Sequence, residues 1–160
     1  MYSALSVAQA ILGLAHAEGK SVTNIQLQQL VFFAHGYSLG ALDAPLIDSE
    51  IMAWNFGPVI PRLYNALRHY GLSAITDDLS KTEHASSPVL DPAAMGVINA
   101  VWKAYQGYDA FELLALTHRS DTPWDIIWNK RGERFKPIPD DVIKSYYKQR
   151  VRPAYVAEFA

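Results

Sequence analysis

Thr23-Asn24-Ile25-Gln26-Leu27-Gln28-Gln29-Leu30-Val31-Phe32-Phe33-Ala34-His35-Gly36-Tyr37 decides how the rest of the chain is read. Thr23 and Gln26 stand three apart, the spacing at which a hydroxyl and an amide side chain satisfy each other's free backbone N–H groups at a helix start. Leu27, Leu30, Val31, Ala34 and Tyr37 then recur at steps of three and four, which places them on one stripe of a helix. The pattern predicts a helix from Thr23 to near Gly40, with an apolar side to bury. Upstream, Leu5, Ala8, Ile11, Leu12 and Ala15 repeat the same spacing behind Ser3 or Ser6 as caps, and Gly19 is a natural terminator.

Downstream, the helical period vanishes between Ala41 and Phe56. Pro45, Asp48 and the run Glu50-Ile51-Met52-Ala53-Trp54 predict a loop and an extended segment, so a short two-stranded element can form near residues 46-56. Pro58 or Pro61 can open a third helix, whose buried side is Ile60, Leu63, Tyr64 and Leu67. Residues 73–90, rich in Ser, Thr and Asp, read as a flexible surface loop. Asp91-Pro92 caps a fourth helix running to Gly107, Asp109 and Glu112 start a fifth, Thr122-Pro123 a short sixth, and Pro139-Asp140-Asp141 a seventh that ends before Pro153. The expectation is mainly α: a single irregular domain over residues 1–160, with about seven helices and no repeats.

A chain of 160 residues, half of them hydrophobic and 19% charged, can bury a sizeable core without metal or disulfide staples. It contains no cysteine, which excludes disulfides, thiolate metal sites and sulfur nucleophiles and suits a reducing compartment. Leu5 to Ala17 superficially resembles a signal peptide. Gln9 inside the run, and the absence of Lys or Arg before Lys20, favour an amphipathic helix instead, and with no apolar run of membrane-spanning length the expectation is a cytoplasmic protein. Eight of the fourteen basic residues lie between Lys130 and Arg152, a segment that can be a solvated helix face or can meet nucleic acid or an acidic partner.

Local motifs for chemistry are weak. His118 and Asp121, three apart, are the best acid–base candidate, but a histidine at a helix end needs no catalytic reason to be there. No metal-binding histidine pair, serine elbow or phosphate-cradling glycine loop is present, so the expectation is no enzyme and no cofactor. Aromatic side chains are the more informative feature, because any exposed cluster of them supplies binding hot spots.

Three blocks carry a resemblance. Leu27 to Gly36 is similar to the L-Q-K-L-hydrophobic-Y-F-A-H-G helix of the Panacea (SocA-like) antitoxin domain family, Ala53-Trp54-Asn55-Phe56-Gly57-Pro58-Val59 resembles its A-W-x-Y-G-P-V, and Leu116-Thr117-His118 with Pro123-Trp124 resembles its third block. Gln29 stands where a lysine is usual and Phe56 where a tyrosine is common. The resemblance implies neutralisation of a co-encoded protein toxin by direct contact. Delivery of that toxin to a protease, or DNA binding at the chain's own operon through the basic segment, are the alternatives. It implies fold-keeping roles for Leu27, Leu30, His35, Gly36, Trp54, Gly57, Pro58, His118, Pro123 and Trp124, with His35, His118 and Trp124 expected in one cluster. Gln28, Gln29, Tyr37, Phe56 and Tyr64 are the candidate partner contacts.

Overall fold

A computed structural model of the chain describes residues 1–79 and 89–160. Its architecture is mainly helical, and the central element is the helix α2, Asn24–Tyr37. Thr23 caps it in both directions of a capping box: its hydroxyl accepts from the Gln26 amide, and its own amide donates to Gln26 Oε1 at 2.9 Å. Leu27 through Gly36 are all buried, so the helix has no solvent face, and the single apolar stripe read from the sequence understates its burial. Helix α1 (Ala4–Ala17), α3 (Pro61–Leu67), α4 (Pro92–Tyr105), α5 (Ala110–Thr117) and α7 (Asp140–Lys148) all contact it. A helix enclosed in this way must be apolar or internally satisfied all round.

The expected caps hold. Ser3 accepts from the Ser6 amide, Asp91 from Ala94, Asp109 from Glu112, and Thr122 from Asp125 at the start of α6 (Pro123–Asp125). Helices α2 and α6 each continue into a wider π-helical turn, Ser38–Leu42 and Ile126–Lys130. The two-stranded element exists but lies slightly later than expected. Strand β1 (Met52–Trp54) pairs antiparallel with β2 (Gly57–Val59), Met52 opposite Val59 and Trp54 opposite Gly57. Pro58 is therefore a strand residue, and Pro61 opens α3. The segment 135–138 runs along β1, with Ile138 donating to the Ile51 carbonyl at 2.8 Å and Ala53 to that of Lys136 at 2.9 Å.

The seventh helix ends before Pro153 as expected, and Pro153 starts an eighth, α8 (Pro153–Ala157), which packs on α4 with Val156 buried. One expectation is corrected. The expected loop 73–90 is partly core: Ile75 and Leu79 are buried, Ile75 donates to the Val22 carbonyl at 2.9 Å, and the Leu79 amide bonds Gln9 Oε1 at 2.7 Å. Residues 80–88 lie outside the described residues. The polar Gln9 in the apolar first helix thus has a structural task, and Leu5, Ala8, Ile11, Leu12 and Ala15 are core. Among the described residues no helix is long and apolar enough to cross a membrane.

Helix α7 approaches α2 at two glycines. A Cβ on Gly36 would be driven into the Tyr147 ring, and one on Gly40 would lie 2.6 Å from the Tyr147 carbonyl carbon. Glycine is required there for close approach, not for backbone freedom.

Candidate partner interface

The hairpin tip is built on two carbonyls held from a distance. Trp124 Nε1 donates to the Trp54 carbonyl at 2.6 Å, and His118 Nε2 bonds the Phe56 carbonyl at 2.7 Å. The two clamping rings stack, with centroids 4.2 Å apart and planes 10° from parallel, and Trp128 also stacks on Trp124, with centroids 5.7 Å apart. Asn55 and Phe56 make the turn, Gly57 leaves it into β2 at φ 135°, and a Cβ on Gly57 would stand 3.1 Å from Thr117 Oγ1. A side chain at position 57 would be strained both by its backbone and by its neighbour.

From α2, Gln28 and Gln29 hold the other edge of the hairpin. Gln28 accepts from the Ile60 amide at 2.9 Å and donates to Asn24 Oδ1 at 2.9 Å; Gln29 donates to the Pro58 carbonyl at 3.1 Å. That carbonyl can only accept, so the Gln29 amide nitrogen must face it, which leaves Gln29 Oε1 buried and unpartnered. Such an orphan acceptor costs roughly 1–3 kcal/mol. A lysine carries donors only and would leave no such orphan.

Between these edges lies a cavity of about 410 Å³, lined among others by Trp54, Phe56, Tyr64, Arg68, Leu72 and Leu114. Trp54 and Tyr64 meet edge to face at 5.4 Å. Phe56 is 65% exposed and Leu72 83% exposed, so two large apolar side chains stand at the rim of the cavity. Leu72 and Arg68 carried no signal in the sequence, because they reach the cavity from the irregular end of α3.

The candidate contacts are only partly assembled. Gln28, Gln29, Phe56 and Tyr64 share this cavity, whereas Tyr37 lies elsewhere, its hydroxyl on that of Tyr105 at 3.1 Å. The expected cluster of His35, His118 and Trp124 is split as well. His118 and Trp124 stack, but His35 is buried away from them, with Nδ1 accepting from the amides of Leu46 and Ile47 at 3.2 Å each and Nε2 bonded to Asp140 Oδ1 at 2.8 Å. A ring nitrogen that accepts two N–H groups carries no proton, so Nε2–H is the donor to Asp140. The acid–base candidate is divided too: His118 Nε2 is committed to the hairpin, and Asp121 pairs with Lys130. Among the described residues no three His, Cys, Asp or Glu side chains gather in a way that could hold a metal ion.

The family model for the antitoxin SocA-like, Panacea domain matches residues 27–125. The chain belongs to the SocA-like Panacea antitoxin family. Antitoxin SocA of Caulobacter vibrioides (strain NA1000 / CB15N) is 32% identical over 154 residues, covering 91% of this chain and 82% of that protein. No solved structure matches. The Panacea match begins at the start of the buried stretch of α2 and ends with α6, so it contains the four side chains that clamp the hairpin, Gln28, Gln29, His118 and Trp124, but not the segment 135–138 that runs along β1. Asp140, the partner of His35, and the close-packed Tyr147 lie beyond it.

Proposed function

We propose that this Panacea-family protein acts in the cytoplasm as an antitoxin and neutralises a co-encoded protein toxin by direct contact, with no bond-making step of its own. The observation that supports the contact most is Phe56: a phenyl ring presented to solvent from a hairpin tip whose backbone is fixed by two aromatic donors, beside an apolar cavity. An exposed ring on a mobile loop would lose entropy on binding. One on a clamped turn is already ordered, so more of its burial becomes affinity. Trp54, Tyr64 and Leu72 extend the same surface, and aromatic anchors of this kind carry most of the energy in protein interfaces.

Co-expression of the adjacent open reading frame with this chain should restore growth that the adjacent product alone suppresses. Replacing Phe56 by Ala should weaken the complex by about tenfold to a hundredfold, roughly 1.4–2.8 kcal/mol, while leaving the melting temperature unchanged. A harmless neighbouring product would remove the antitoxin reading. Equal affinity of the Phe56→Ala variant would remove the hairpin tip as its contact. Toxin half-life measured with and without the cell's proteases separates occlusion from delivery.

A further inference from the structure

A second cavity, of about 230 Å³, opens between α2, the end of α4, the corner from α5 to α6, and α7. Four tyrosines line it, Tyr37, Tyr105, Tyr146 and Tyr147, together with Arg119 and Arg150. No aspartate or glutamate does. The Tyr37 hydroxyl donates to that of Tyr105, so the Tyr105 hydrogen is left to find another acceptor, and none is present among the described residues. Tyr147 is only 5% exposed, yet among the described residues its hydroxyl makes no hydrogen bond, and it is not sealed from solvent.

Burial, reinforced by the neighbouring phenols, raises the pKa of Tyr37 and Tyr147 above the ordinary tyrosine value, and burial does the same for Tyr105. These hydroxyls stay protonated and act as donors. Arg150 is pre-positioned, its guanidinium 3.7 Å from the Tyr146 ring centroid and donating to the Tyr146 carbonyl at 2.9 Å. Arg119 forms no ion pair among the described residues. The cavity thus holds donors in excess of acceptors and two positive charges with no counter-charge, within aromatic walls.

We propose that this cavity is an oxyanion-binding site, taking a carboxylate or phosphate group, with the Tyr105 and Tyr147 hydroxyls as donors and Arg119 and Arg150 supplying the charge. Charged donors on an oxyanion make hydrogen bonds roughly twice as strong as neutral pairs, and phenol donors recessed behind them fix its orientation. The Tyr147 hydroxyl, which has no protein acceptor among the described residues, gains one once such a group is seated. The two cavities share no lining residue, so the site can be tested apart from the hairpin contact.

Titrating the purified chain separately with inorganic phosphate and with glutarate, while following backbone amide shifts of Arg119, Thr122 and Arg150 by NMR, tests the assignment. Saturable shifts are expected, weakened at least tenfold both in Arg119→Gln, an exposed position whose change leaves the core intact, and in Tyr147→Phe, which keeps the ring against Gly36. Shifts that never saturate, or that both variants preserve, overturn it. A second arm identifies the source of the group. Competition of either anion with toxin binding marks it as an acidic side chain of the partner, and unchanged toxin affinity in Arg119→Gln marks it as a free small molecule; each of these outcomes leaves the site in place.

Discussion

At the scale of single residues, His35 joins three parts of the chain that are far apart in sequence. Its ring sits on α2, its Nδ1 satisfies two consecutive amides of the segment before β1, and its Nε2 reaches the first turn of α7. Replacing His35 by Ala leaves two buried N–H groups without an acceptor, a loss of about 3 kcal/mol. The midpoint of urea unfolding should fall accordingly. His35→Asn, whose Oδ1 can take the place of Nδ1, should recover part of the loss, and an unchanged midpoint in the alanine variant would show that water replaces the ring. The histidine's importance was legible in the sequence, but its partners were not. The Leu46 and Ile47 amides lie in an irregular stretch, and nothing local marks Asp140 as more than a helix-start carboxylate.

At the scale of elements, starts were legible and joints were not. Ser3, Thr23, Asp91, Asp109 and Thr122 cap as their side-chain chemistry dictates, because a cap is a contact over three residues. The hairpin depends on Trp124 and His118, roughly sixty to seventy residues away, and from the sequence Gly57-Pro58 was equally good as a helix start. The contact of α7 with α2 belongs to the same class. Gly40 reads as a helix terminator, yet it is the point where α7's backbone touches the π turn. Gly40→Ala should therefore cost about 3 kcal/mol, since the new methyl meets main chain that cannot rotate away. The exposed Gly13 in α1 has open space around its Cβ position, and Gly13→Ala should stabilise by about 0.5–1 kcal/mol. Chemical denaturation of the pair checks both signs, and a stabilised Gly40→Ala would mean that helix propensity outweighs packing at position 40.

At the scale of the whole molecule, one continuous set of buried side chains runs from Ala4 to Val156, with α2 through its middle. Helix α8 is its last contribution, held by Val156, by Asn99 Nδ2 on the Phe159 carbonyl at 3.2 Å, and by Lys103 over the Phe159 ring. Val156→Asp places a charge with no partner in that seam and should detach α8 at a cost of about 3 kcal/mol. Hydrogen exchange would then quicken in α8 and on the facing side of α4 while α2 stays protected; quickening throughout would mean that the core does not survive without its final helix. The helical character and the central position of α2 were legible from periodicity and caps. The cavities were not, because Leu72, Arg68, Arg119 and Tyr147 become neighbours of their sites only after the elements pack. The way the hairpin tip is fastened has an evolutionary consequence. Both fasteners grip main-chain oxygen, so the side chain at position 56 contributes nothing to keeping the turn closed. Under the proposed toxin contact, a lineage can therefore exchange that residue to follow a changing adversary, one codon at a time, without refolding the scaffold that presents it.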